Sequence, residues 1–359
     1  MKKKIIFFYN DTPQKQLLEY ISKSIDKKKF SFSFCRDFKK KCDIGIYAHD
    51  ADKIKDINSK LSIISLGGMD QGKLLWPNFW VKENWNKFDF GILPGNNWAK
   101  MWKQTSWYKG ARPKIAMLLT GWPKSIELKN IKKKKRKKKI ILYAPCFETD
   151  NKQLDVAYAV KKTNFNLLIK HLPWDTNEEI LKFRDVKNNI KIANKLTKKI
   201  LGNRVKILNS KSNIMKYYSK VDLLITDESS VMYESLLYDL PNLSCKDWPI
   251  RTNNVSIPRM IKTDSSVCTY TIKSNLEKSI KHFFQNKSYF KKIIKLKKKN
   301  HFSYIHSSTL NINNFLIKYT KDKKILFEIK PRFEKNYLKS FLIDLKYYFL
   351  NKYYLKFFL

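Results

Sequence analysis

Paired cysteines, arginine and long apolar runs are scarce in this sequence. The cysteines are Cys35, Cys42, Cys146, Cys245 and Cys268, an odd number with no Cys-x-x-Cys pair, and most lie in apolar, strand-like runs. That pattern excludes a disulfide frame and a zinc ribbon, and implies reduced thiols in a cytoplasmic protein. No apolar run is long enough to cross a bilayer. The first residues imitate a signal peptide, but their apolar stretch is short and runs into Asn10 and Asp11, so it reads as a strand. No group of His, Cys, Asp and Glu has metal-ligand spacing, and neither metal nor cofactor is expected. Only Arg36, Arg112, Arg136, Arg184, Arg204, Arg251, Arg259 and Arg332 are arginines among 74 basic residues, which stand against 31 acidic ones for a net charge of +43. A surface shaped to grip nucleic acid favours the planar guanidinium. The charge therefore reads as solvated lysine, with no specific nucleic-acid partner, although it draws the protein to nucleotides, acidic polymers and anionic membrane.

What is present is enough apolar material for two domains: 359 residues, 43% hydrophobic and 14% aromatic. Short apolar runs alternate with helix-period segments, the pattern of parallel α/β layers. Strands are expected at 4–9, 30–35, 43–47, 61–66, 88–93 and 115–119, with helices at 12–27 and 97–109. Residues 132–139 are eight consecutive lysines and arginine, which repel one another and read as an exposed linker. The alternation then restarts, with strands at 140–144, 165–170, 205–208, 222–226 and 242–245. Helices are expected between them at 151–162, 177–201, 212–219 and 230–238. The expected organisation is an N-terminal domain (1–131), the linker (132–139), a second domain (140–290) and a basic helical extension (291–359). Residues 338–359 mix aromatics with lysine. They read equally as a helix lying in a membrane interface and as one packing back across the domains.

Two strand ends carry residues suited to chemistry. In an open α/β sheet, ligands bind where strands end, and a helix start presents N–H groups to anions. The run Asp222–Glu234 is an apolar strand, an acidic turn at Asp227 and Glu228, then Ser229 and Ser230 opening a helix. The serines suit a diphosphate and Glu234 suits a ribose diol; the alternative is that a serine caps the helix. The strand ending Lys170-His171-Leu172-Pro173 supplies a fixed cation and an imidazole able to donate to a phosphate oxygen or protonate a leaving group. Further along, Arg251 is suited either to diphosphate charge or to a surface acid.

The block 140–244 resembles the donor-binding half of the CDP-glycerol glycerophosphotransferases, the teichoic-acid polymerases and primases. Tyr143-Ala144-Pro145 matches the family's Tyr-Ala-Pro loop. Lys170, His171 and Pro173 match its basic–His–Pro strand end, and Ile225-Thr226-Asp227-Glu228-Ser229-Ser230 with Pro241 matches its Thr-Asp-Tyr-Ser-Ser segment. Gly121-Trp122-Pro123-Lys124 resembles the turn that closes the family's first domain. Two departures stand out. Glu228 replaces the family's Tyr, and the Trp-His-Gly segment of the first domain is absent. The corresponding strand end reads Ser65-Leu66-Gly67-Gly68-Met69-Asp70-Gln71-Gly72-Lys73. Asp70 or His49 is then the candidate base in place of the family histidine.

The resemblance implies an α/β, GT-B-like fold of two Rossmann-like domains facing across a cleft. It implies transfer of glycerol phosphate from CDP-glycerol to a hydroxyl of a polymer or lipid-linked acceptor, with CMP released. The expected catalytic residues are His171 with Asp70 or His49. The expected donor-binding residues are Lys170, Asp227, Ser229, Ser230, Glu234 and Arg251. The protein is expected in the cytoplasm or on the inner face of the membrane. The alternatives are a GT-B glycosyltransferase using a nucleotide sugar, and a non-catalytic polyanion- or membrane-binding protein of the same fold.

Overall fold

The protein is described by a computed structural model covering residues 2–69, 83–130, 138–146, 148–173, 184–250, 258–261, 263–332 and 342. Asp70, Arg251, most of the basic linker and all but one residue of 338–359 lie outside the described residues.

Two parallel sheets dominate. The first contains β1 (Lys3–Phe8), β2 (Phe30–Cys35), β3 (Cys42–Tyr47), β4 (Ser59–Ser65), β5 (Phe90–Leu93), β6 (Ala116–Leu119) and β15 (Glu328–Ile329), in the order β15-β6-β5-β4-β3-β1-β2. The second contains β7 (Ile140–Tyr143), β8 (Asn166–Ile169), β9 (Val205–Ile207), β10 (Leu223–Ile225), β11 (Asn242–Cys245) and β14 (Thr269–Thr271), in the order β14-β11-β10-β7-β8-β9. A short antiparallel pair, β12 (Pro249–Ile250) and β13 (Arg259–Met260), stands apart. Parallel strands must be covered on both faces, and so read as continuous apolar runs rather than alternating ones. Accordingly all four residues of β5 and of β11 are buried, whereas the edge strand β2 is mostly half-exposed.

The helices are α1 (Thr12–Ser22), α2 (Asn96–Thr105), α3 (Lys152–Lys161), α4 (Arg184–Leu201), α5 (Met215–Tyr218), α6 (Val231–Leu237), α7 (Leu276–Gln285), α8 (Lys287–His301) and α9 (Ser308–Asp322). The pleat of β7 divides its neighbours. Ile141 and Tyr143 join a core with α3, α7 and Trp248. Leu142 and Ala144 join a second core that runs on into the N-terminal domain through Tyr218, Tyr233 and Phe302. The two domains thus share one apolar cluster.

Residues expected as a C-terminal extension return to the first domain. Phe315 and Tyr319 of α9 each place a ring 4.8 Å from Phe90, edge-on, and β15 pairs antiparallel with β6. The crossing segment presses so closely on the N-terminal domain that glycine is required at Gly95. A Cβ there would lie 1.9 Å from the His301 carbonyl oxygen. No helix of the described residues is long and apolar enough to cross a membrane.

Candidate active site

The carboxyl ends of β7, β8 and β10 are stitched into one platform. The Ala144 N–H donates to the Ile225 carbonyl at 3.0 Å, and Thr226 Oγ1 donates to the Ala144 carbonyl at 2.7 Å. Asp227, fully buried, accepts from the Cys146 N–H through Oδ1 and from Lys152 Nζ at 2.7 Å through Oδ2. Asp227 therefore ties the Tyr-Ala-Pro loop and the start of α3 to the turn that carries the serines. Sequence reasoning assigned it to the donor; the structure commits both its oxygens to the protein.

Ser229 is buried and Ser230 half-buried where α6 begins. Ser230 occupies the cap position but its side chain makes no capping bond, so capping does not account for the hydroxyl. Gly68 of the N-terminal domain faces it: a Cβ on Gly68 would lie 4.0 Å from Ser230 Cβ. The segment after β4 thus approaches the start of α6 to van der Waals distance.

Glu234, expected to meet a ribose, instead accepts from Lys124 Nζ at 2.8 Å and lies 3.5 Å from Tyr218 Oη, with 2% of its side chain exposed. This ion pair joins the segment leaving the first domain to the second. A ribose would have to displace it, so the structure corrects the expectation: Glu234 holds the domains together.

Lys170 is 6% exposed, and its ammonium donates to the carbonyls of His171 (3.1 Å) and Ser210 (2.7 Å). Among the described residues no carboxylate lies within ion-pair distance of it. Burial, and then the like charge of Lys124, lower its pKa to about 8, so it stays mostly charged at neutral pH.

His171 is 5% exposed rather than open to the cleft. Its Nε2 lies 2.9 Å from Gln153 Oε1. An amide oxygen only accepts, so Nε2 carries the proton and Nδ1, buried with no hydrogen-bond partner, is a bare lone pair. Burial, opposed by Asn194 and reinforced by Lys170, pushes its pKa down to about 4. At neutral pH His171 is uncharged, with its one N–H already engaged. It cannot also donate to a phosphate, as the sequence had suggested.

His49 sits beyond β3 in the N-terminal wall, its Nδ1 3.1 Å from Gln14 Nε2 and its ring 5.9 Å from Phe38. Sequence reasoning missed Gln14, Lys152, Gln153 and Glu148. Only Gln14 carried a local signal, as the fourth residue of the helix-opening Asp11-Thr12-Pro13-Gln14 box. Glu148, 1% exposed, accepts from Tyr143 Oη at 2.6 Å and from the Gln153 N–H at 2.9 Å; burial raises its pKa to about 7.

A separate cavity of about 870 Å³ opens at the other end of the second sheet, against Leu223, Asn242, Thr269 and Lys297. These residues begin the strands or lie beyond them, so the cavity is remote from this platform. Among the described residues no group of His, Cys, Asp and Glu is arranged to hold a metal.

Two parallel sheets with a polar platform at the strand ends define a GT-B-like α/β fold. Residues 71–248 match the family described as CDP-Glycerol:Poly(glycerophosphate) glycerophosphotransferase, the family that the motifs of the chain resemble. No curated protein matches the sequence. Among solved structures, a putative UDP-N-acetylglucosamine 2-epimerase from Listeria monocytogenes is 14% identical, with a TM-score of 0.60 over 92% of this chain and 100% of that one. The wall teichoic acid polymerase TagF is 16% identical, with a TM-score of 0.58 over 90% of each chain. MnaA of S. aureus, solved with UDP, is 13% identical, with a TM-score of 0.58 over 93% of this chain and 100% of that one.

Proposed function

We propose that this protein transfers glycerol phosphate from CDP-glycerol to a hydroxyl of a polymer or lipid-linked acceptor. The observation that carries the reading is Lys170: a buried ammonium at the ligand-binding edge of a parallel sheet, held by carbonyls and matched by no carboxylate among the described residues. An anionic ligand supplies the missing charge. The Ser229–Ser230 turn lies two strands away, beyond β7, and offers hydroxyls to the same diphosphate.

The acceptor oxygen attacks the phosphorus that bears glycerol. The bridging P–O bond breaks, CMP departs with the bonding electron pair, and the acceptor hydroxyl loses its proton. Charge gathers on the bridging and non-bridging oxygens. Lys170 and the serine hydroxyls are fixed before reaction, so stabilising that charge requires no reorganisation. His171 acts beneath them as a neutral packing element, its ring orientation set by Gln153.

The test is a thermal-shift panel of CDP-glycerol, CMP, UDP and GDP, followed by product analysis with glycerol phosphate acceptors. A ligand that binds only the folded state raises its stability by mass action. CDP-glycerol and CMP should shift the transition and CMP should be released. Release of UDP or GDP from a nucleotide sugar would instead identify a glycosyltransferase. Indifference to every nucleotide would favour a non-catalytic binding protein.

A further inference from the structure

We propose that the cavity between β14, α7 and α8 is a second binding site, shaped for an amphiphilic anion: a phosphate or carboxylate head on an apolar body. The site stands apart from the transfer reaction and uses none of its residues.

The cavity follows from how the chain leaves the second sheet. β14 is the edge strand beside β11, and α7 and α8 straddle that edge rather than share one face. Leu276, Ile280 and Phe283 of α7 join the core that contains Ile141 and Tyr143. Ile294 of α8 joins the core that contains Leu142 and Leu224, on the other side of the pleat. The helices meet at their junction, where the Phe283 and Phe290 rings lie 5.1 Å apart. Beyond the junction they leave a wedge of about 870 Å³. Sites for small molecules span about 300–1,000 Å³. The wedge lies at the amino ends of β10 and β11, whereas an open sheet takes its nucleotide at the carboxyl ends, so this is not the donor site.

The walls define the ligand. Leu223 and Leu243 of the sheet, Phe283 of α7, and Phe290 and Ile293 of α8 supply apolar surface. The cations are Lys278 and Lys297, and among the described residues no Asp or Glu lines the wedge. The Lys297 ammonium donates to the Cys268 carbonyl at 3.3 Å, and among the described residues neither lysine has a carboxylate within ion-pair distance. Burial lowers the pKa of Lys297, the mark of an ammonium that has given up water. Such a cation gains more from an anion than a fully solvated lysine does. His282 adds a directed donor. Asn286 Nδ2 donates to the His282 carbonyl at 3.0 Å, which fixes that end of the amide as nitrogen, and the same atom lies 3.1 Å from His282 Nδ1. Nδ1 therefore accepts, and the neutral ring carries its proton on Nε2. Cations and donors without an acid select a negative head, and the apolar wall selects a body without polar groups.

The test is titration calorimetry of the full-length protein with decyl phosphate below its micelle concentration, against inorganic phosphate and decyltrimethylammonium. Decyl phosphate should bind roughly tenfold or more tightly than either. Shortening its chain should weaken binding about fourfold per methylene, the effect of one buried CH₂. Lys297→Met keeps the apolar stem and loses the charge, and should weaken binding about tenfold. Ile293→Trp fills the wedge and should abolish binding, with thermal unfolding as the check that the fold survives. A photoreactive alkyl phosphate should label α7 and α8. Competition by phosphatidylglycerol vesicles would identify the natural source as membrane lipid; binding of decyl phosphate without such competition would identify a soluble amphiphile.

The proposal is overturned if decyltrimethylammonium binds as well as decyl phosphate, if Lys297→Met leaves the affinity unchanged, or if the label falls outside the wedge. Displacement of the probe by CDP-glycerol would move it to the transfer platform and equally overturn the second site. A protein that binds decyl phosphate and no nucleotide would keep this site and lose the transfer reading.

Discussion

Gln153 turns its amide oxygen to His171 Nε2 at 2.9 Å because its amide nitrogen donates to Asn194 Oδ1 at 3.1 Å and to Thr197 Oγ1 at 2.9 Å. The residue matched to a family histidine is thereby held as a neutral ring by a glutamine on α3 and two side chains of α4.

That burial has a pH signature. His171 titrates near 6.5 when unfolded and about 4 when folded, so its contribution to stability is full above 6.5 and is lost as pH falls through 4. Glu148 moves the other way, from 4.5 to about 7, so its contribution is full below 4.5 and is lost as pH rises through 7. Between pH 4.5 and 6.5 the two slopes oppose. Denaturant titrations across that window should show Glu148→Gln losing stability towards acid and His171→Leu losing it towards neutrality. Parallel slopes in the two variants would refute the assignment.

Lys152 and Asp227 form an ion pair with neither side chain exposed. Removing one partner leaves a buried charge uncompensated, so Lys152→Met should cost about 3–5 kcal/mol in thermal or denaturant unfolding. Adding Asp227→Leu should recover much of the loss. A double variant as unstable as the sum of the single ones would show that the pair is not coupled.

Ser230→Ala separates binding from folding. Because the hydroxyl makes no capping bond, the usual loss of about 1 kcal/mol for a deleted cap should be absent. Calorimetric affinity for CDP-glycerol should nevertheless fall about tenfold, the equivalent of one hydrogen bond to a charged oxygen. A stability loss without an affinity loss would return the serine to a structural role.

Gly95→Ala tests the crossing of the C-terminal segment. Its Cβ would meet the main chain at His301 and Phe302, and main chain cannot swing aside as a side chain can. Overpacking of this kind costs about 1–3 kcal/mol or more. Gly202→Ala is the control: its φ is +55° with nothing within 4 Å, so it should lose only the left-handed backbone preference, about 1–2 kcal/mol. If Gly95→Ala is the milder of the two by calorimetry, the close crossing is wrong.

Much of the architecture was legible in local pattern. Runs such as Ile140–Tyr143 and Leu223–Ile225 are strands because continuous apolar segments of that length suit a sheet covered on both faces. The turn at Asp227–Ser230 was legible too, since an apolar strand, an acidic turn and a helix start follow one another in the chain. Roles were less so. Asp227 looked like a ligand-binding acid, and proved to be a clasp, because nothing in the sequence announces that Lys152 folds beneath it.

By itself, then, the sequence determined the α/β alternation, its restart after the basic run and which strand ends carry polar residues, since these follow from periodicity and composition along a few neighbouring residues. Only the tertiary structure decided which charges are spent. Lys124 meets Glu234 across 110 positions, and Gln153 meets His171 across 18. Hydrogen-bond direction, and with it each histidine's chemistry, is set by partners that become neighbours only when the sheets close.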